Sequence, residues 1–389
     1  MQDTIRVCTP RYLQIGKGSI TQLSNVLKTI GSANRPLIVT DKMMVELGHV
    51  DRIRQHLNEH GINCGVFDET IPDPTDTVIE AGLNTLKSGG FDCVIGLGGG
   101  SPIDTAKAIS VLSQHSSNIL DYRPPKQFNQ AGLPIIAIPT TAGTGSEVTH
   151  HTVIVHSATQ EKISCRGEAF VPTAAIIDYE LTLSKPSRLT ADNALDTLTH
   201  AIEAYVSHKA TLYTDRLALD CMRLVTSNLK KAYLDPGDIV ARESLMLAAT
   251  FGGLAFSNSS IALVHAMSRP LGSLFHVPHG MGNAMLLPTV TAFSKPAALS
   301  RYADCAKAMG WAKDDDTNDA AANALVNGLY ALNDQLNVPT LSAFGIDKTA
   351  YDDAIDQMAD DAIRSGAPGN NPKASSKEEI SHLYKQVWA

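Results

Sequence analysis

Residues 94–110 read VIGLGGGSPIDTAKAIS, an apolar run that breaks on three consecutive glycines and resumes as a helical pattern. The run 94–97 suits a buried strand, Gly98, Gly99 and Gly100 a tight turn, Ser101 an N-cap and Pro102 the first helical position. Strand, glycine turn and helix in that order form part of a βαβ unit. Residues without Cβ atoms also let a phosphate approach the backbone, where free N–H groups and the positive end of the helix dipole receive it. One glycine would satisfy a turn; three in a row argue for phosphate binding. The stretch is neither G-x-G-x-x-G nor a P-loop, since no Gly-Lys-Ser/Thr follows, so the phosphate is expected to belong to a cofactor.

The same alternation extends to both sides. RPLIVTDK (35–42), CGVFDE (64–69) and LPIIAIPTTAGTGSE (133–147) are short β-branched runs, and amphipathic segments such as TDTVIEAGLNTLKSGG (75–90) separate them. This pattern predicts a parallel sheet. HTVIVH (151–156) and TAAIIDYE (173–180) are the last such runs. Beyond Arg188, apolar residues recur at three- and four-residue steps in RLTADNALDTLTHAIEAYVS (188–207) and in ARESLMLAATFGGLAFSNSSIALVHAMSR (241–269), each read as a helix. ELTLSKPSR (180–188) is the joint. The expectation is an α/β dinucleotide-binding domain over 1–183 and an all-α, metal-binding domain over 184–389, with solvated loops at 313–320 and 365–376.

Bulk properties narrow the function. The 389 residues exceed one ordinary core, and the 43% hydrophobic and 19% charged content describe a globular chain. No run of eighteen apolar residues is seen, and MQDTIRVCTPRY lacks the order of a secretory signal, so a cytoplasmic location without a membrane partner is expected. Six cysteines without a C-x-x-C pair argue against a disulfide framework or a zinc ribbon. A net charge of -8 without a basic stripe argues against nucleic acid. A small-molecule ligand is favoured.

Asp41 ends the strand of LIVTD, where a carboxylate can accept from a ribose 2′-hydroxyl and repel a 2′-phosphate, which favours NAD over NADP. It lies upstream of the glycines, and an aspartate there also reads as a loop cap. IPTTAGTGSEVT (138–149) offers the hydroxyls of Thr140, Thr141, Thr144 and Thr149, able to close over a cofactor or to satisfy one another.

In DTLTHAIEAY, Asp196 and His200 stand four apart and project from one helix face. His265 lies in an apolar helix, and His279 sits between a proline and a glycine. One Asp and three His form a mixed O/N set suited to Fe2+ or Zn2+ with an open position for a substrate oxygen.

GGGSPIDTAKAI, IPTTAGTGSEVT, LTHAIEAY and the series LVHAM, PLG, VPHG together resemble the iron-dependent (group III) alcohol dehydrogenases over nearly the whole chain. The resemblance implies a dehydroquinate synthase-like fold with a cleft between its domains and NAD-linked oxidation of an alcohol or reduction of an aldehyde at a divalent ion. It carries the metal ligands onto Asp196, His200, His265 and His279, and the cofactor contacts onto Asp41, Gly98, Gly99, Gly100, Ser101, Thr140, Thr141, Thr149 and Lys162. A homo-oligomer is expected from it as well. Many members place a histidine four residues after the third ligand; here Arg269 stands there, which puts a proton relay in doubt. A guanidinium suits a carboxylate, phosphonate or sulfonate, so a substrate with an anionic group is one reading of Arg269, with His151 and Arg166 assisting; pairing with a protein carboxylate is the other. His276 is read as an outer or solvent-facing residue. Two other functions are weighed: a dehydroquinate synthase-type NAD- and metal-dependent lyase, for which the Lys- and His-rich phosphate pocket is not found, and a nucleotide- and metal-binding protein without turnover.

Overall fold

The computed structural model describes residues 4–115, 118–123 and 125–388. Two compact units divide the chain between Ser184 and Lys185, with Thr4 and Ile5 grouped with the second unit.

The first unit is built on a six-stranded sheet, β1 (Tyr12–Ile15), β2 (Pro36–Val39), β3 (Gly65–Phe67), β4 (Cys93–Gly98), β5 (Ile135–Pro139) and β8 (Ala174–Ile177), in the order β1-β8-β5-β4-β2-β3. All its pairings are parallel. Strand alternation sends side chains to two separate cores. Ile38, Ile95, Leu97, Ile136 and Ile138 pack on one side with Leu27, Ile53 and Leu57, while Leu37, Val39 and Val94 pack on the other with Ile79, Leu86 and Ile109. A strand buried on both faces reads as a continuous apolar run, as PLIV does.

Three expectations need correction here. β6 (His151–Val155) and β7 (Lys162–Arg166) form a separate antiparallel hairpin and do not extend the sheet. Edge strand β1 was not read from the sequence, because YLQI has only two strongly apolar residues in four. The helix after the glycines begins at Gly100, with Gly99 as its N-cap, so Ser101 and Pro102 lie inside the first turn. The cause is Gly98: with φ of +145° it turns the chain at once, and a Cβ there would lie 2.6 Å from Cγ of Pro102. The helix therefore starts two residues earlier than a serine cap at Ser101 would place it.

The second unit is helical, and its largest helices are Ser187–Val206, Leu212–Leu234, Ile239–Ser257, Leu263–Phe275, His279–Ser294, Asn318–Gln335 and Lys348–Arg364. The segment 241–269 is two helices and not one. Asn258 turns its amide onto the carbonyl of Leu254 and Ser259 its hydroxyl onto that of Ala255, which closes the first helix. Ile239–Ser257 is long and apolar enough by composition to cross a membrane, but 61% of its apolar window is buried inside the bundle. Residues 365–376 are no plain solvated loop: Asn370 and Asn371 are buried, and the Asn370 amide donates to Ser260 Oγ at 2.8 Å and to the Ile261 carbonyl at 3.2 Å. The first part of 313–320 remains exposed loop, and Thr317 then caps the next helix through Ala320 N–H.

Candidate metal and dinucleotide sites

In the second unit, three helices bring the ionisable residues together. Asp196 and His200 lie one turn apart on Ser187–Val206, His265 is the third residue of Leu263–Phe275, and His279 opens His279–Ser294 directly after Pro278. Pro278 and Gly280 both serve this placement. Proline has no N–H to lose at a helix start. A Cβ on Gly280 would lie 2.2 Å from the carbonyl oxygen of Asp192, so only glycine lets this helix press against Ser187–Val206 beside Asp196. His276 in the same stretch is the left-handed residue that ends Leu263–Phe275, at φ +55°, and is exposed.

Asp196 Oδ1 lies 3.4 Å from His265 Nε2 and 3.5 Å from His279 Nε2. Two donors each about 2.1 Å from one cation at a tetrahedral angle stand about 3.4 Å apart, so these separations fit a shared divalent ion. Asp196, His265 and His279 form the group of three whose ligand atoms lie within 4.8 Å of one another. His200 stands beside that group: its ring stacks between Phe256 and His265 at 4.2 and 4.4 Å, and its Nδ1, buried without a hydrogen-bond partner, is 3.9 Å from Asp196 Oδ2. A cation there would satisfy that nitrogen. His279 is the exposed member, with 42% of its side chain accessible against 3–7% for the others. Solvent therefore reaches the group from its side.

Two residues of this site escaped the sequence reading. Glu203 lies one turn beyond His200; its carboxylate accepts from the N–H groups of Ala262 (2.8 Å) and Val264 (2.5 Å) and bonds His265 Nδ1 at 2.6 Å. A side chain from another helix thus caps Leu263–Phe275, and with Nδ1 donating to a carboxylate, Nε2 is left as the ligand atom. Asn283, fully buried, sends Nδ2 to Asp196 Oδ1 at 2.7 Å and lies 3.1 and 3.4 Å from Nε2 of His265 and His279. The signals were Glu203 and Asn283 themselves, each four residues or fewer beyond a candidate ligand.

The electrostatics follow the same geometry. Burial favours the neutral form of Asp196, yet His200, His279 and His265 around it hold its carboxyl well below the usual range. Burial brings His200 down to about 3, against the pull of Asp196. Burial also opposes charge on His265, but Glu203 and Asp196 raise it to about 9. Buried acids and imidazoles set against one another in this way are typical of metal centres and catalytic sites.

In the first unit, the chain runs from β3 across β2 to β4, so the strand order reverses between β2 and β4. Crevices at such reversals, at the carboxyl ends of the strands, bind dinucleotides. Asp41 follows β2 and the glycine turn follows β4, and the two strands are direct neighbours. This explains how Asp41 can stand upstream of the glycines in sequence and still adjoin them in space. Asp41 caps the next helix through Met44 N–H at 3.0 Å. Thr140 is buried, bonds the Gly98 carbonyl through its N–H at 2.8 Å and turns its hydroxyl to Met44 Sδ. Thr141 and Thr144 lie against Gly99 and Gly100. Thr149 faces inward, accepting from Lys107 Nζ at 2.9 Å, and Lys162 is paired with Asp73 at 2.9 Å. Arg269 lies one turn after His265 on its helix, and His151 begins β6.

A parallel sheet with a glycine turn at its switch point, joined to a helical unit with a mixed Asp/His centre, defines a metal-dependent dinucleotide enzyme. Comparison with known proteins gives the class its name. Residues 10–179 match the family model for iron-containing alcohol dehydrogenase, and residues 190–388 match that for the Fe-containing alcohol dehydrogenase family, C-terminal. The chain belongs to the iron-containing alcohol dehydrogenase family. It is 34% identical to the NAD-dependent methanol dehydrogenase of Bacillus methanolicus over 96% of its own length and 97% of that protein. The crystal structure of a 1,3-propanediol oxidoreductase superposes with a TM-score of 0.95 at 32% identity, covering 99% and 100% of the two chains. Sulfoacetaldehyde reductase from Bifidobacterium kashiwanohense, crystallised with NAD+, superposes at 0.89 with 28% identity over 99% of each chain. Membership makes the chain an oxidoreductase of alcohols and aldehydes.

Proposed function

We propose that this chain transfers hydride between NAD(H) and a small primary alcohol or aldehyde at a site holding Fe2+ or Zn2+, and that the substrate carries an anionic group. The observation that carries the metal part is Asp196 Oδ1 standing 3.4 and 3.5 Å from two imidazole nitrogens. Asp196, His200, His265 and His279 would hold the ion. Bound there, the cation supplies Lewis acidity toward the substrate oxygen, and the nicotinamide supplies or accepts the hydride.

The remaining work falls to the chain's own residues. Asp196 offsets cationic charge, and Glu203 keeps His265 in the tautomer that presents Nε2. The N–H groups at the start of Gly100–Ser113 receive the pyrophosphate, Thr140, Thr141 and Thr149 shape the loop beside it, and Asp41 and Lys162 meet the cofactor's riboses. With arginine at position 269, no histidine relays a proton from that turn. Arg269 supports the anionic reading, and it is tested by Arg269→His, which should cost more on an acidic aldehyde than on a neutral one. Similarity to a sulfoacetaldehyde reductase favours this reading over a lyase. A cytoplasmic homo-oligomer is part of the same proposal.

The test is NADH oxidation with an aldehyde panel before and after chelation. Chelator-sensitive turnover restored by Fe2+ or Zn2+ is expected. NADH binding without turnover on any aldehyde would favour a non-catalytic binding protein.

A further inference from the structure

Lys107 is fully buried and lies on Gly100–Ser113, the helix assigned above to the pyrophosphate. Its Nζ donates to the Thr149 carbonyl at 3.0 Å, the Thr149 hydroxyl at 2.9 Å and the His151 carbonyl at 2.8 Å. An ammonium has three donors, and all are used here on one short piece of chain. Asp104, one turn earlier on the same helix, holds the residues on either side of that piece. Its carboxylate accepts from Ser146 Oγ at 2.5 Å and from Val153 N–H at 2.8 Å, and its carbonyl accepts from Thr152 Oγ1 at 2.8 Å.

Burial opposes both charges. It brings Lys107 down to about 8, against the pull of Asp104 and Glu147, and it raises Asp104, against Lys107, Ser146 and Val153. Well-packed apolar side chains commonly replace buried charges of this kind without loss of stability, so stability alone does not call for them. What the two side chains do is fix residues 146–153 to one face of the helix. That segment is the far end of the threonine loop, 138–149. The near end is fixed by Thr140 N–H on the Gly98 carbonyl at 2.8 Å, and Thr144 lies against Gly100 between the two ends. Gly145 turns the loop in the left-handed region, at φ +61°. A loop built of glycine and threonine has many conformations to lose, and a ligand that must order it binds more weakly.

We propose that Lys107 and Asp104 are positioning residues for the cofactor, which they do not touch: they hold Thr149 and its loop in the geometry that binds the dinucleotide. This rests on the dinucleotide reading of the first unit and on neither the metal centre nor the substrate. If the binding geometry becomes one conformation among many, the apparent Kd rises by the inverse of its population.

The experiment is fluorescence titration of the full chain with NADH, in the wild type, K107M, S146A, T149V and the K107M/T149V double variant. Kd should rise about 10- to 100-fold in K107M and about 3- to 10-fold in S146A, which loses one tether and no assigned cofactor contact. T149V removes the hydroxyl that Lys107 holds, so the loss in the double variant should fall well short of the product of the two single losses. A full product overturns the route through Thr149. Wild-type affinity in K107M, whatever its melting temperature, overturns the proposal, because Lys107 would then serve the fold alone. Should K107M not fold, wild-type affinity in S146A does the same. No NADH binding by the wild type would instead sink the dinucleotide reading. Hydrogen exchange of the amides of 144–153 tests the clamp without any cofactor: faster exchange in K107M and S146A is expected, and wild-type exchange in both counts against it.

Discussion

Replacing Glu203 by alanine probes the link between fold and metal centre most sharply. The carboxylate is 3% exposed and makes three contacts, at 2.8, 2.5 and 2.6 Å, to Ala262 N–H, Val264 N–H and His265 Nδ1. Glu203→Ala leaves two buried N–H groups at the start of Leu263–Phe275 unsatisfied and frees the His265 ring to adopt the other tautomer. Hydrogen bonds to a buried charge are worth about 1.5–3 kcal/mol each but do not add, so a loss of about 3–5 kcal/mol in unfolding free energy is expected. Removal of such an outer partner costs about 10- to 100-fold in metal affinity. Glu203→Gln keeps one oxygen for the helix N–H groups and should lie between wild type and Glu203→Ala on both scales. Denaturant unfolding of the metal-free protein measures the first effect, and competition with a chromogenic zinc chelator the second. Wild-type zinc affinity in both variants would refute the reasoning, because His265 would then be oriented by something other than Glu203.

Further outcomes follow from the same geometry. Gly280→Ala should cost about 1–3 kcal/mol and weaken zinc binding, since its Cβ would overlap the Asp192 carbonyl and part Asp196 from His279; unfolding midpoints and zinc titration check this. His150, brought down to about 4 by burial and then by Lys107 and Arg166, is neutral in the native chain, whereas an unfolded imidazole titrates near 6.5. Between those values the unfolded chain binds more protons, so this contribution to stability is full above pH 6.5 and is lost as the pH falls toward 4. Unfolding free energies at pH 7.5 and 5 should therefore fall less in His150→Asn than in wild type, and equal falls would count against it.

Much of this was legible in the sequence, for physical reasons. Buried parallel strands read as continuous apolar runs, so PLIV and IIAIP stood out, whereas the edge strand YLQI did not. The i, i+4 spacing of Asp196 and His200 fixed their common face before any coordinates. Contacts distant in sequence were harder to read. Glu203 sits in an amphipathic pattern where an acid ordinarily faces water, and its role depends on a helix that begins 60 residues later. The polar, proline-containing 365–376 segment resembled a solvated loop, yet Asn370 caps the break around Ser260 and Ile261 from within. That break was hidden because apolar periodicity resumes in phase on both sides of it. Asp41 was read through its strand end, and its place beside the glycine turn becomes clear only from the β2–β4 pairing.

The central claim is that one carboxylate and three imidazoles of the helical unit share a divalent cation. X-ray anomalous scattering from crystals of the Fe2+- or Zn2+-loaded protein tests it directly. A single strong peak within about 2.0–2.3 Å of Asp196, His200, His265 and His279 is predicted. A peak bound by other residues, or none at saturating metal, would contradict it.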